Sequence, residues 1–381
     1  MIVLFAPDSF KGTLTSVQVA RAMADGWLRA RPDDEVLLCP LADGGEGTLE
    51  AVAAAGGWDW RTSAVQDPLR RPVAARWLAR EANAGADVSA RAGAGSRAVI
   101  EMAEASGLSR VAPDERDPMA ATSVGTGELL VEAIRNGART ITLGIGGSAT
   151  TDGGRGLIEA LTALAELAEL ADVDLVVACD VSNPLLGPQG AAAVFGPQKG
   201  ATPEQVAELD ARNAAWADAL EAETGRRERE TPGAGAAGGV GFGLLAIQHR
   251  FRSFGLQPGV DLVMDATDFA ARLARADLVI TGEGRIDAQT AFGKTALGVA
   301  RRAQVAGKRC IGVGGSVEPA GIEALASVGA QAVPVWETPV PLEVALAAGT
   351  APLVACGERL ARAWVAAAGT ADPGDDAQRG Q

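Results

Sequence analysis

The stretch DLVITGEGRIDAQTAFGKT, residues 277–295, decides the fold. It opens on an apolar run, Leu278 to Thr281, that reads as a buried strand, passes through a glycine-broken acidic loop, and leads into a helix near Thr295 to Ala306. Strands at Cys310 to Val313 and near Ala332 to Val335 continue the alternation. The start of the chain has the same rhythm. Ile2 to Ala6 reads as a strand, Thr15 with Gln18 as a capping box, Val17 to Leu28 as a helix, and Val36 to Leu41 as a second strand before a helix that follows Gly47. Two ends far apart in sequence thus supply five strands with intervening helices. They predict a discontinuous α/β domain with a flavodoxin-like parallel sheet in the order 2-1-3-4-5.

The expected domains are residues 1–58 with 277–368 for that sheet, 59–276 for a second, mixed α/β domain inserted into it, and 369–381 for a disordered tail. Within the insertion, Arg61 to Val65 and Val73 to Ala79 read as paired strands around Asp67 and Pro68. Ile100 to Ala105 is taken as an apolar segment despite its two glutamates, and Leu175 to Cys179 reads as a buried strand that ends at Asp180, where an acid is well placed for chemistry. Thr202, Pro203 and Gln205 form a cap, a first-turn proline and a box partner, so the acidic helix to about Glu223 reads as structural. The run GAGAAGGVGFG, residues 233–243, is a close-approach backbone site or a hinge.

Composition bounds the function. With 381 residues, 48% hydrophobic and 22% charged, the chain can bury a large core in two domains. Its 34 basic and 48 acidic residues give a net charge of −14, which opposes nucleic acid and anionic membranes as partners and leaves small molecules. The four cysteines show no CxxC spacing, which argues for reduced thiols and against a zinc site. No apolar stretch approaches membrane-spanning length and no basic leader follows Met1, so the expected location is the cytoplasm. A homodimer is compatible with these features.

Ligands of open α/β sheets bind beyond the carboxyl ends of the strands where the strand order reverses, here between the first and third strands. The loops at that point hold Asp8, Ser9, Phe10, Lys11 and Gly12, and Gly282, Glu283, Gly284, Arg285, Ile286 and Asp287; the loop ADGGEGT after the second strand adds Asp43 and Glu46. In the insertion, GIGGSATTDGG at residues 144–154 follows the apolar run Thr140 to Leu143 and reads as an anion cradle. Gly146 and Gly147 would let a phosphate approach the backbone, Ser148, Thr150 and Thr151 add hydroxyls, and Asp152 either orients a ligand or caps the turn. Gly144, Gly146 and Ala149 also satisfy GxGxxA, which would suit an NAD-dependent dehydrogenase of a small hydroxy acid; a noncatalytic metabolite-binding protein is the other alternative. The glycine run continues to Gly154 and no acid stands at a strand end at the expected distance, which weighs against dinucleotide binding. Gly293, Lys294 and Thr295 mimic the end of a P-loop, but Ala288 replaces its first glycine.

APDSFKGTLT (6–15), PLADGGEGT (40–48), GIGGSATTDGG, ACDVSNPLLGP (178–188), AAAVFGPQKGA (191–201), GAGAAGG and the 277–295 stretch occur in one order across nearly the whole chain. Together they resemble the bacterial glycerate kinase family. The resemblance implies an ATP- and Mg2+-dependent kinase that phosphorylates D-glycerate, commonly at the 2-hydroxyl. For such in-line transfer, the expected residues are Lys11, Lys199 and Arg285 for phosphate and carboxylate charge, and Asp180 for orienting or deprotonating the hydroxyl. Asp43, Glu283 and Asp287 become candidates for metal contacts, and Asp8, Ser9, Gly146, Gly147, Ser148, Thr150, Asp152 and Asn183 form the substrate and nucleotide shell. The chain departs from the family pattern in a short segment 156–173, in Val124 where tyrosine is frequent, and in Asp117 before Pro118 where asparagine is common. It has a single histidine, His249, and no tyrosine, so an acid/base role falls to a carboxylate or to the substrate itself.

Overall fold

A computed structural model describes residues 1–10, 12–81, 95–163, 167–288, 290 and 295–369. The strands are β1 (Ile2–Phe5), β2 (Glu35–Leu38), β3 (Asp59–Gln66), β4 (Pro72–Arg80), β5 (Ser96–Glu101), β6 (Ala138–Gly144), β7 (Asp174–Ala178), β8 (Ser253–Gln257), β9 (Leu278–Ile286), β10 (Arg309–Val317) and β11 (Gln331–Pro334). The chain divides into two compact units, Met1–Leu41 with Thr267–Gln381, and Ala42–Ala266. The sequence placed these divisions later, at 58/59 and 276/277. The difference lies in two helices. Thr48–Ala54 packs on β5 and on the helix Gly259–Ala266 in the second unit, and Phe269–Arg275 packs on β1 in the first. Periodicity shows that a helix has an apolar face but not which neighbour covers it.

In the first unit all strands are parallel and run β11-β10-β9-β1-β2, the 2-1-3-4-5 order, with its reversal between β1 and β9. Val3, Phe5, Leu278, Ile280 and Val313 are fully buried. The helix Ser16–Ala30 closes one face, and its Trp27 meets Phe5 edge to face at 6.3 Å. Thr15 and Gln18 make the reciprocal capping box that starts it, with N···O distances of 3.2 and 2.9 Å. A Cβ on Gly26 would stand 1.9 Å from the Val354 carbonyl oxygen, so only glycine lets the helices Ser16–Ala30 and Ala351–Gly369 cross this closely. Gly369 ends that last helix, and the rest of the expected tail lies outside the described residues.

The second unit holds a mixed sheet, β3-β4-β5-β6-β7-β8, antiparallel from β3 to β5 and parallel from β5 to β8. Its core includes Ile100, Leu129, Ile141, Leu143, Val177 and Phe242. The helix Pro203–Thr224 starts with the expected cap at Thr202, proline and box partner Gln205. Among the described residues, no helix is long and apolar enough to cross a membrane.

Candidate active site

The register of the second sheet lines up four strand ends in one row. Glu101 on β5 lies opposite Gly144 on β6, Gly144 opposite Ala178 on β7, and Ala178 opposite Gln257 on β8. Parallel strands deliver their carboxyl ends to the same edge, so the loops that follow must gather there.

The loop after β6 has two parts with different physics. At Gly144 and Gly146, Cβ atoms would stand 2.4 Å from the Gly44 oxygen and 2.6 Å from the Gly45 Cα, so these glycines let the 42–48 loop lie backbone to backbone on the strand end. Gly153 and Gly154 are filled in the same way, by Trp216 and by Gly239 with Val240. The run 233–243 is therefore a close-approach site, with Gly238 against the Thr150 carbonyl. Only the tip is open. Gly147 is exposed at φ +72°, Gly146 is half-buried, and no acceptor among the described residues takes the N–H of either. Of the run expected to form a cradle, the tip at Gly146 and Gly147 is thus the part left uncovered.

Asp152 proves to be a clamp. Its carboxylate accepts from the Ser123 N–H and hydroxyl at 2.8 Å each, from the Gly154 and Gly156 N–H groups at 3.1 Å, and from Thr122 Oγ1 at 3.3 Å. These bonds join the starts of the helices Val124–Arg135 and Arg155–Ala163. Lys199 lies beneath the same loop, 2% exposed, and its Nζ donates to Ser148 Oγ at 2.9 Å and to the Thr150 carbonyl. Burial pulls its ammonium down to about 7, opposed by Asp152. Among the described residues, buried Thr150 Oγ1 and Thr151 Oγ1 find no partner.

The neighbouring strand ends carry the next candidates. Asp180, exposed just past β7, accepts the Gly259 N–H at 3.0 Å. A Cβ on Gly259 would overlap the Asp43 carbonyl oxygen, so Gly259 connects Asp180 to the 42–48 loop, whose Asp43 Oδ1 takes the Gly45 N–H at 3.2 Å. The Asn183 side-chain amide donates to the Gln189 carbonyl at 2.8 Å and so holds its own loop, while its backbone carbonyl accepts from the Gly235 N–H.

The first unit presents a separate set where β1 and β9 reverse the order. Asp8 is buried; it takes the Thr295 hydroxyl at 2.6 Å and the Ser9 N–H at 2.6 Å, and its own N–H donates to Gly282 at 2.8 Å. Buried Glu283 accepts from Thr290 Oγ1 at 2.8 Å, and the Asp287 N–H donates to the same hydroxyl at 3.1 Å. Arg285 is exposed and paired with Glu318, which raises its pKa, and with Asp287 at 3.1 Å. Lys11, and Gly293 and Lys294 of the P-loop mimic, lie outside the described residues. Among the described residues no group of three or more His, Cys, Asp or Glu side chains is placed to hold a metal ion.

The glycerate kinase family model matches residues 3–166 and 164–365. The chain belongs to the glycerate kinase family. A glycerate kinase of Bacillus subtilis is 42% identical over 366 residues, covering 88% of this chain and 92% of that protein. A glycerate 2-kinase of Escherichia coli is 39% identical over 360 residues, covering 86% and 90%. A solved structure from Salmonella typhimurium LT2, described as a candidate glycerate kinase 2, is similar at a TM-score of 0.79 and 38% identity, over 97% of this chain and 99% of that one.

Family membership and geometry both remove the dinucleotide reading of Gly144, Gly146 and Ala149. The helix begins only at Arg155, whereas that fingerprint must open a helix within its glycines. The sequence passed over Glu101. It is 3% exposed, burial pushes its carboxyl up to about 8, the nearby Glu50 and Glu104 push the same way, and the Leu49 and Gly47 N–H groups, at 3.2 Å each, oppose the shift. The rule that singled out Asp180, an acid at a strand end, would have found it. No pattern singled out Asn213 or Trp216, which turn the long acidic helix toward the loop; Trp216 Nε1 donates to the Gly153 carbonyl at 3.1 Å.

Proposed function

We propose that the chain transfers the γ-phosphoryl group of ATP to D-glycerate at its 2-hydroxyl, giving 2-phosphoglycerate. The observation that carries this reading is the single row of strand ends, which sets the open loop tip and Asp180 on one edge of one sheet. The N–H groups of Gly146 and Gly147 and the Ser148 hydroxyl suit phosphate oxygens, and burial of the rest of the loop keeps that tip rigid. Asp180 takes the proton of the 2-hydroxyl while its oxygen bonds to phosphorus and the bond from phosphorus to the leaving oxygen of ADP breaks. Lys199 acts from below by fixing Ser148 and Thr150, and Asp152 by fixing the loop against two helices. Asn183 shapes the loop beside Asp180.

Lys11 and Arg285 are proposed for anionic charge, and Asp8 and Ser9 for the polar shell of the first unit's edge. Asp43, Glu283 and Asp287 are each proposed as a single carboxylate ligand of Mg2+, which commonly takes one or two carboxylates and completes its octahedron with phosphate and water. When bound, the ion neutralises phosphate charge. The proposed location is the cytoplasm.

The test is steady-state kinetics of Asp180→Asn with ATP and D-glycerate. The expected result is a kcat lower by about 10²- to 10⁴-fold with both KM values within about threefold. A near-normal kcat removes Asp180 from the chemistry.

A further inference from the structure

Arg116 has a side chain that the fold leaves unused. Among the described residues its buried Nε finds no hydrogen-bond partner, and the guanidinium has neither a hydrogen bond nor an ion pair. Its two sequence neighbours are acids, yet neither pairs with it. Glu115 turns to Arg71 at 3.1 Å, and Asp117 takes the N–H groups of Met119 and Ala120 at 3.0 and 3.2 Å. A guanidinium cannot shed its proton, so a buried N–H of this kind calls for an acceptor supplied from elsewhere.

Its position says which acceptor. The segment leading to Arg116 is bonded to the glycine loop, by Leu108 N–H to the Gly147 carbonyl at 2.8 Å and by Ala149 N–H to the Ser106 carbonyl at 2.9 Å. At its far end Arg116 Cβ lies 3.5 Å from where a Cβ on Gly200 would stand, and Gly200 follows Lys199, whose Nζ holds Ser148. Lys199 is the cation that sequence motifs select here, but it is sealed under the loop and spends its donors on the protein. Half-buried Arg116 adjoins Gly200, the residue after Lys199, and among the described residues its donors are unspent.

We infer that Arg116 is an oxyanion-binding residue of the glycine-loop site, closing on a substrate carboxylate or phosphate through its planar fork. This deepens the kinase reading and rests on it, since both proposed substrates carry such a group: D-glycerate a carboxylate, ATP a phosphate chain.

The experiment is calorimetric titration of wild type, Arg116→Gln and Arg116→Lys with D-glycerate, with ATP and with inorganic phosphate, alongside KM for each substrate and thermal melting. The expected result is that Arg116→Gln weakens one substrate by at least about tenfold, with an intermediate loss in Arg116→Lys, which keeps the charge without the fork. A loss confined to D-glycerate identifies the carboxylate, and one confined to ATP the phosphate. Unchanged affinities and KM values, within about twofold, in a variant that melts like wild type overturn the inference. If Arg116→Gln does not fold, the lysine variant decides by the same criteria. If wild type binds neither substrate, the kinase reading fails on its own, and phosphate binding that is equal in wild type and variant then overturns the role of Arg116, while a weaker one in the variant upholds it.

Discussion

The two strand-end edges hold their charges by opposite means. In the second unit, Lys199 and Glu101 are buried and make no ion pair among the described residues, and burial moves both toward the neutral form, against the pull of Asp152 on Lys199. In the first, the charges are paired: Arg285 with Glu318 and Asp287, Asp8 with Thr295, and Glu283 with Thr290. Desolvated groups tie stability to pH, whereas an exposed pair leaves it nearly untouched. The second edge is thus a rigid, tightly packed seat, and the first is a set of carboxylates already engaged by hydroxyls and a surface cation.

The largest break comes from the backbone contact. Gly144→Ala would drive its Cβ into the Gly44 oxygen, and because neither backbone can yield, a loss of about 3 kcal/mol or more is expected in denaturant unfolding. Unchanged stability would mean that the 42–48 loop is not seated as described. Asp152→Ala strips five donors of their acceptor and should cost about 2–3 kcal/mol, with a matching loss of turnover as the loop loosens.

Two pH slopes sharpen the comparison further. The folded chain keeps a proton on Glu101 up to about pH 8, while the unfolded chain releases it above 4.5; this stability is full below 4.5 and is lost as pH rises through 8. Lys199 runs the other way. Folded, it releases its proton near 7, and unfolded it keeps it to 10.5, so its contribution is full above 10.5 and is lost as pH falls through 7. Unfolding free energies measured across pH should show Glu101→Gln removing a downward slope between 4.5 and 8, and Lys199→Met removing an upward slope between 7 and 10.5. Slopes that match wild type would return both groups to ordinary, solvated behaviour.

Arg285→Ala should have the smallest effect on stability. Its guanidinium and its partner Glu318 are exposed, so the melting temperature should not move beyond experimental scatter at physiological salt. A marked drop would show that the first edge is held by this ion pair.

Much of the fold was legible because its signals are local. The box at Thr15 and Gln18, the cap at Thr202, and the apolar strands at Leu278 and Leu175 each depend on neighbours a few residues away. The order of the parallel strands matched the flavodoxin-like pattern that five strands alternating with helices suggest. The unit boundaries did not, because Thr48–Ala54 and Phe269–Arg275 are assigned by partners distant in sequence. At the site, the glycine run announced a close approach but not to what; Gly44, Gly45, Gly238 and Gly239 take most of the space a ligand was expected to fill. Lys199 was found by its motif while its burial was invisible, and Arg116 lies in a loop whose pattern carries no periodic signal.

The most direct measurement is proton-coupled phosphorus NMR of the product formed from ATP and D-glycerate. A phosphate on the 2-position couples to a single proton on its carbon, so the account predicts a doublet that grows with ADP. A triplet, from a phosphate on the 3-position with its two protons, would contradict the 2-hydroxyl as acceptor, and ADP formation without any phosphoglycerate resonance would contradict the kinase reading itself.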